Sequence, residues 1–176
     1  MRSDAQANRE RVLAAAEEVF AEAGDAGSTE EVARRAGVGI GTVFRHFPTK
    51  QLLVEAAVVR HFARLSEQAG ELTGARDPGA AFRDFVRTMV LGTPAKLALV
   101  TVLGGLTGPA RAASLELRTA VGELLVRAQE AGAIRPDASV DEVYVLIRAL
   151  AQASGDSAVV TRAVDIVLDG LSSARP

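Results

Sequence analysis

Between Ser28 and Lys50 the chain spells two short helices, separated by a glycine turn and closed by a proline. Ser28-Thr-Glu-Glu31 has the form of a capping box, in which a serine hydroxyl and a glutamate carboxylate satisfy the free N–H groups of a helix start. Val32, Ala33 and Ala36 then fall on one helix face, and Gly37 supplies a turn residue that tolerates positive φ. A further helix is expected from Ile40 to Phe47 behind Gly39 as N-cap. Pro48 ends it, because proline lacks the N–H and blocks the preceding turn. This second helix is too short and too rich in glycine to be stable by itself, so packing must hold it. This limits the stretch to a helix-turn-helix carried by neighbouring helices, the layout of a DNA reader.

The flanking sequence supplies those neighbours. Residues 7–24 predict a helix with Val12, Leu13, Ala16, Val19 and Phe20 on one face and Gly24 at its end. Residues 50–69 predict another, with an apolar stripe of Leu52, Leu53, Ala56, Ala57, Val59, Phe62 and Leu65, followed by a break over 70–79. Helical patterns then recur over 79–91, 95–107, 110–131, 139–153 and 157–171, with Ser139 or Asp141 capping the fourth of these. No strand alternation interrupts them. The expected fold is all-α with about nine helices: an N-terminal helix-turn-helix head over 6–65 and a C-terminal helical bundle over 66–176.

Composition excludes several functions. There is no Cys, so disulfides and thiolate metal sites are out, and two His (His46, His61) cannot build a His-rich metal site. No nucleophile–base set or phosphate loop is present, so no enzyme, metal or cofactor is expected. The net charge of -2 is not that of a general polyanion binder. The charges are segregated, however: Arg34, Arg35, Arg45 and Lys50 lie in and around the helix-turn-helix and could form a local phosphate-binding face. The most apolar run, Leu97 to Leu106, is too short to span a bilayer. With no apolar signal core after Arg2, Asp4 and Arg9, a cytoplasmic location is expected.

Within the second short helix, Val43 and Phe47 are inward anchors. Ile40, Gly41, Thr42, Phe44, Arg45 and His46 are left for the exposed face or its edges. Gly39 and Gly41 permit close backbone approach to a phosphate. Arg45 can grip a guanine edge bidentately. Ser28 and Lys50, each at a helix start, suit phosphate oxygens. The candidate DNA-contacting set is therefore Ser28, Gly39, Gly41, Thr42, Phe44, Arg45, His46 and Lys50.

The blocks Arg11-Val-Leu-Ala-Ala-Ala-Glu-Glu-Val-Phe-Ala-Glu-Ala-Gly24, Ser28 to Ala33 and Ala36-Gly-Val-Gly-Ile-Gly-Thr-Val-Phe-Arg-His-Phe-Pro-Thr-Lys50 resemble, in order and spacing, the DNA-binding domain of TetR family transcriptional regulators. The resemblance covers about residues 8–58. It departs at Phe44, where relatives usually have a phosphate-binding Tyr, at Gly39, often Ser or Thr, and at Thr29, usually aliphatic.

The resemblance implies a homodimer through the last two helices, whose faces carry Val143, Ile147 and Leu150, then Val160, Val164, Val167, Leu168 and Leu171. It also implies a small-molecule pocket in the C-terminal part. The lining candidates are Phe82, Phe85, Met89, Val100, Leu103, Leu117, Val121, Tyr144 and Arg148, with Leu97, Leu124 and Thr101 nearby in sequence pattern. The function implied is a repressor that binds a pseudo-palindromic double-stranded operator and is released by a small-molecule effector. The alternative is a small-molecule binding module whose DNA-binding head is weakened or lost, a reading motivated by Phe44.

Overall fold

The computed structural model describes residues 2–92, 104–106, 108–153 and 156–173. Among them are eight α-helices: α1 (Arg2–Ala23), α2 (Thr29–Ala36), α3 (Ile40–His46), α4 (Lys50–Leu72), α5 (Pro78–Leu91), α6 (Gly108–Glu130), α7 (Val140–Ala151) and α8 (Ser157–Leu171). One 3-10 turn, Gly24–Ala26, follows α1. The helix expected over 95–107 lies mostly outside the described residues. The chain divides into two compact units, Met1–Ala63 with Ala95–Ser114, and Arg64–Pro94 with Leu115–Pro176.

The first unit is built around the buried face of α1. Val12, Leu13, Ala15, Ala16, Val19 and Phe20 meet Val32, Ala33 and Ala36 of α2, Val43 of α3, and Phe47. Leu53, Val54, Ala57 and Val58 of α4 complete this core. The buried stripe of α4 is thus turned from the expected one. Leu52 is exposed, while Val54 and Val58 are buried. The apolar residues run almost unbroken from 52 to 59, so their sequence does not fix which side faces inward.

Charges tie the same helices together. The Arg60 guanidinium on α4 donates to Glu17 and, at 3.0 Å, to Glu10, both on α1. Arg9 places its guanidinium 5.4 Å from the centre of the Phe47 ring, a cation–π contact from α1 to the end of α3.

The second unit packs α5 on α7 and α8. Asp77 caps α5 by accepting from the Ala80 N–H at 2.9 Å, with Pro78 at the first helical position. Phe82, Phe85, Val86, Met89 and Val90 of α5 are buried with Val143 and Ile147 of α7 and Val164 and Leu168 of α8. Arg83 donates to the Leu168 carbonyl and to Ser172 and Asp169, while Arg87 donates to Asp165. The loop after α6 is fastened to the end of α8 by the Arg135 N–H to the Leu171 carbonyl at 2.9 Å. Gly79 is needed for close approach, since a β-carbon there would sit 2.4 Å from that of Ala133.

Two boundaries differ from expectation by three or more residues. Helix α4 continues through Gly70 to Leu72, where the expected break begins at 70. Ala69 in this last turn is buried, and the Thr73 hydroxyl donates to the Gly70 carbonyl at 2.7 Å. Helix α1 starts at Arg2 rather than near residue 7.

Candidate nucleic-acid interface

Ser28 begins the helix-turn-helix as N-cap of α2, its hydroxyl accepting from the Glu31 N–H at 3.1 Å. The reciprocal half of the expected capping box is not made. The Glu31 carboxylate is taken by Arg34, at 2.7 and 2.8 Å, and by Arg35, at 2.8 Å. These guanidiniums hold Glu31 down to about 2. Arg35 also grips Glu22 bidentately, at 2.6 and 2.9 Å. Arg34 and Arg35 are therefore committed to acids of α1 and α2.

Gly37 closes α2 with φ 64° and ψ 38°. Its N–H reaches the Arg34 carbonyl, and the Val38 N–H reaches that of Ala33, the double bond of a Schellman turn. The partly buried Val38 packs on the core beneath this turn. Gly39 then starts α3 as N-cap, its carbonyl accepting from Thr42 at 2.8 Å. Helix α3 buries Val43, and Phe47 is buried immediately after it.

The rest of α3 is turned outward. Gly41, Phe44 and Arg45 are exposed with Ile40, while Thr42 and His46 are half-buried. Arg45 has no ion-pair partner among the described residues, and the α3 sequence Ile-Gly-Thr-Val-Phe-Arg-His carries no acid. His46 lies 6.2 Å from the Phe47 ring and lines a recess of about 520 Å³ with Arg9, Glu10 and Leu52. Lys50 is engaged: its ammonium donates to the Asp25 carbonyl at 2.6 Å and pairs with the Asp25 carboxylate at 3.1 Å, 5.5 Å from the Phe20 ring centre.

Two contributors were missed by sequence reasoning. Thr49 accepts from the Leu52 N–H at 3.2 Å and so starts α4; a Thr directly after Pro48 was the available signal. Arg11 of α1 reaches the α2–α3 turn. A β-carbon on Gly37 would lie 3.9 Å from its Nη1, and its other nitrogen donates to Asn8 at 2.5 Å. Nothing in the sequence separates Arg11 from the other α1 charges.

Of the pocket candidates, Phe82, Phe85, Met89, Leu117 and Val121 are buried in the second unit. Val100 and Leu103, with Leu97 and Thr101, lie outside the described residues. Tyr144 is half-buried, and its hydroxyl oxygen is enclosed without a hydrogen-bond partner among the described residues. Burial pushes the phenol up to about 12, opposed by the charges of Arg118 and Arg148. Arg148 is exposed, and Arg118 pairs with Asp141 at 2.5 Å.

A short outward-facing helix, held through its anchors by a three-helix support and free of acidic groups, defines the class: a helix-turn-helix DNA-binding regulator. The comparisons give the family. Residues 12–57 match the family described as bacterial regulatory proteins, tetR family, and residues 77–173 match the transcriptional regulator SbtR-like C-terminal domain. A crystal structure of a TetR transcription regulatory protein from Mycobacterium vanbaalenii is 40% identical, with a TM-score of 0.82, over 97% of this chain and 98% of that one. A TetR transcriptional regulator from Streptomyces coelicolor is 34% identical, with a TM-score of 0.83, over 95% and 99%. The HTH-type transcriptional regulator UidR of Escherichia coli is 27% identical over 151 residues, 78% of this chain and 74% of that protein. The chain belongs to the TetR family of transcriptional regulators, and it is a regulator rather than an enzyme.

Proposed function

We propose that this regulator is a homodimeric repressor that reads a pseudo-palindromic operator with one α3 from each protomer and leaves it when a small-molecule effector binds. The observation that carries the reading is Arg45, a guanidinium without an ion-pair partner among the described residues, on the exposed face of an acid-free helix, while Arg34 and Arg35 are neutralised by neighbouring carboxylates. Arg45 reaches a guanine edge. Arg11, Ser28, Thr42 and the backbone at Gly39 and Gly41 meet phosphates around it. Lys50 joins them only by exchanging Asp25 for a phosphate oxygen, and His46 sits at the edge of the contact.

Residues 6–65 then form the reading head and 66–176 the effector and dimerisation part, working in the cytoplasm beside the DNA. Two half-sites lie about 34–36 Å apart. The effector rests against the apolar side chains of Phe82, Phe85, Met89, Leu117 and Val121, all of the second unit. The Tyr144 hydroxyl donates to an acceptor on the effector. Arg148, being exposed, belongs at the rim.

The test is a gel-shift titration of the full chain on duplexes selected from a random pool, repeated across salt concentrations. Specific retardation that weakens steeply with salt is expected. Arg45→Ala is expected to lose about 1–3 kcal/mol of discrimination at one base pair. Failure to retard any duplex at any salt sinks the repressor reading and favours the binding module with a lost head.

A further inference from the structure

Helix α3 presents more than a cation. Ile40 is 38% and Phe44 45% exposed, and they stand one helical turn apart on one side. Apart from Leu52, they are the large exposed apolar side chains of the first unit among its described residues. Gly41 lies beside Ile40 as Arg45 lies beside Phe44. A β-carbon on Gly41 would meet nothing within 4 Å, so the surface at Gly41 itself is open.

The occupant of this face must accept a positive group and two apolar ones together. Arg45 calls for an anionic or acceptor-rich surface, and α3 has no carboxylate to repel it. Phe44, lacking a hydroxyl, has no hydrogen bond to offer a phosphate. In the major groove of DNA the apolar feature is the C5-methyl group of thymine, exposed in the same groove as the guanine acceptors that an arginine reads.

We propose that Ile40 and Phe44 read thymine methyl groups, so that each operator half-site carries thymine at one or two positions adjacent to the guanine held by Arg45. The inference rests on the repressor reading above and adds the base that this face selects. It makes the apolar pair a specificity determinant and leaves less of the affinity to phosphate contacts.

The experiment replaces each thymine of the selected operator, in turn, by deoxyuridine. Pairing and charge are kept, and a single methyl group is removed. For the wild-type chain, loss of a read methyl weakens binding about fourfold in one half-site and about fifteenfold when both half-sites are changed, as expected for one buried carbon. Phe44→Ala or Ile40→Ala abolishes the penalty at its own position and leaves penalties elsewhere. Both side chains are exposed, so the variants should melt with the parent, and a circular-dichroism melt checks this. Uniform affinity across all deoxyuridine duplexes, on an operator that is still bound specifically, overturns the proposal and leaves the repressor reading standing. So does a thymine penalty that persists unchanged in both variants, which would assign the methyl contact to another residue. Absence of any retarded duplex overturns both readings together.

Discussion

Tyr144 and Gly27 show how much a single position depends on what surrounds it. The Tyr144 hydroxyl is enclosed without a partner among the described residues, and such a group costs about 1–3 kcal/mol of desolvation. Tyr144→Phe removes the group and keeps the ring, so the free protein should gain about 1 kcal/mol in denaturant unfolding. If the hydroxyl serves an effector, the same variant should bind that effector roughly tenfold more weakly. A variant that is less stable than the parent would show that the hydroxyl has a partner in solution. Gly27 has an ordinary φ of -59°, so backbone freedom does not explain it. A β-carbon there would lie 2.6 Å from Cδ1 of the fully buried Phe20. Gly27→Ala should therefore destabilise the first unit by about 1–3 kcal/mol through overpacking, measurable as a lowered melting midpoint. An unchanged midpoint would mean that Phe20 can shift without loss. Gly27 closes the 3-10 turn Gly24–Ala26, but the reason for a glycine is a ring brought close only by the fold, and no local pattern carries that.

At the scale of the element, the same Ser-x-x-Glu signal occurs before α2 and before α7 with different outcomes. At Ser139 both halves form: Glu142 donates its N–H to the Ser139 hydroxyl, and its carboxylate accepts from the Ser139 N–H at 2.8 Å. At Ser28 the serine half alone forms, because Arg34 and Arg35 follow Glu31 at three and four residues and capture its carboxylate. Val145 and Leu146 occupy the matching positions after Glu142 and offer no competing charge. The difference is written in the sequence, but it is legible only when the pattern is read together with the next helical turn.

The pairing of Glu31 has a pH consequence. Its folded value of about 2 lies below the ordinary 4.5, so its contribution to stability is complete above the ordinary value and is lost as pH falls from about 4.5 towards 2. Glu31→Gln should flatten the acid limb of the melting curve in that window, and an unaltered limb would mean that the arginine pairs are absent in solution. The existence and order of the described helices follow from apolar period, glycines and prolines. The rotation of α4 does not, because an apolar run broken only by Glu55 leaves its phase to the packing of α1.

At the scale of the whole molecule, the question is what the apolar side chains of the last two helices meet. Val143 and Ile147 of α7 and Val164 and Leu168 of α8 are consumed inside the second unit, so the sequence pattern that suits both a core and a dimer seam is partly resolved in favour of the core. Other apolar residues on the same helices remain outside it: Val145 is 64%, Val159 65% and Ile166 63% exposed. A protein that reads a two-fold operator needs a self-complementary surface. On the proposed dimer, these exposed residues take the place of the buried ones of the sequence pattern as the seam, and a charge placed on them leaves the unit's own core intact. Ile166→Asp together with Val159→Asp should give a folded monomer in sedimentation, with the parent's helical content. Because the second head then no longer binds at the effective concentration set by the first, operator affinity should fall by about a hundredfold or more while contact with a single half-site survives. A dimer that persists in this double variant would place the seam elsewhere. A monomer that keeps the full operator affinity would show that the two heads do not act together, and the bivalent reading would have to be abandoned even with Arg45 still contacting its base.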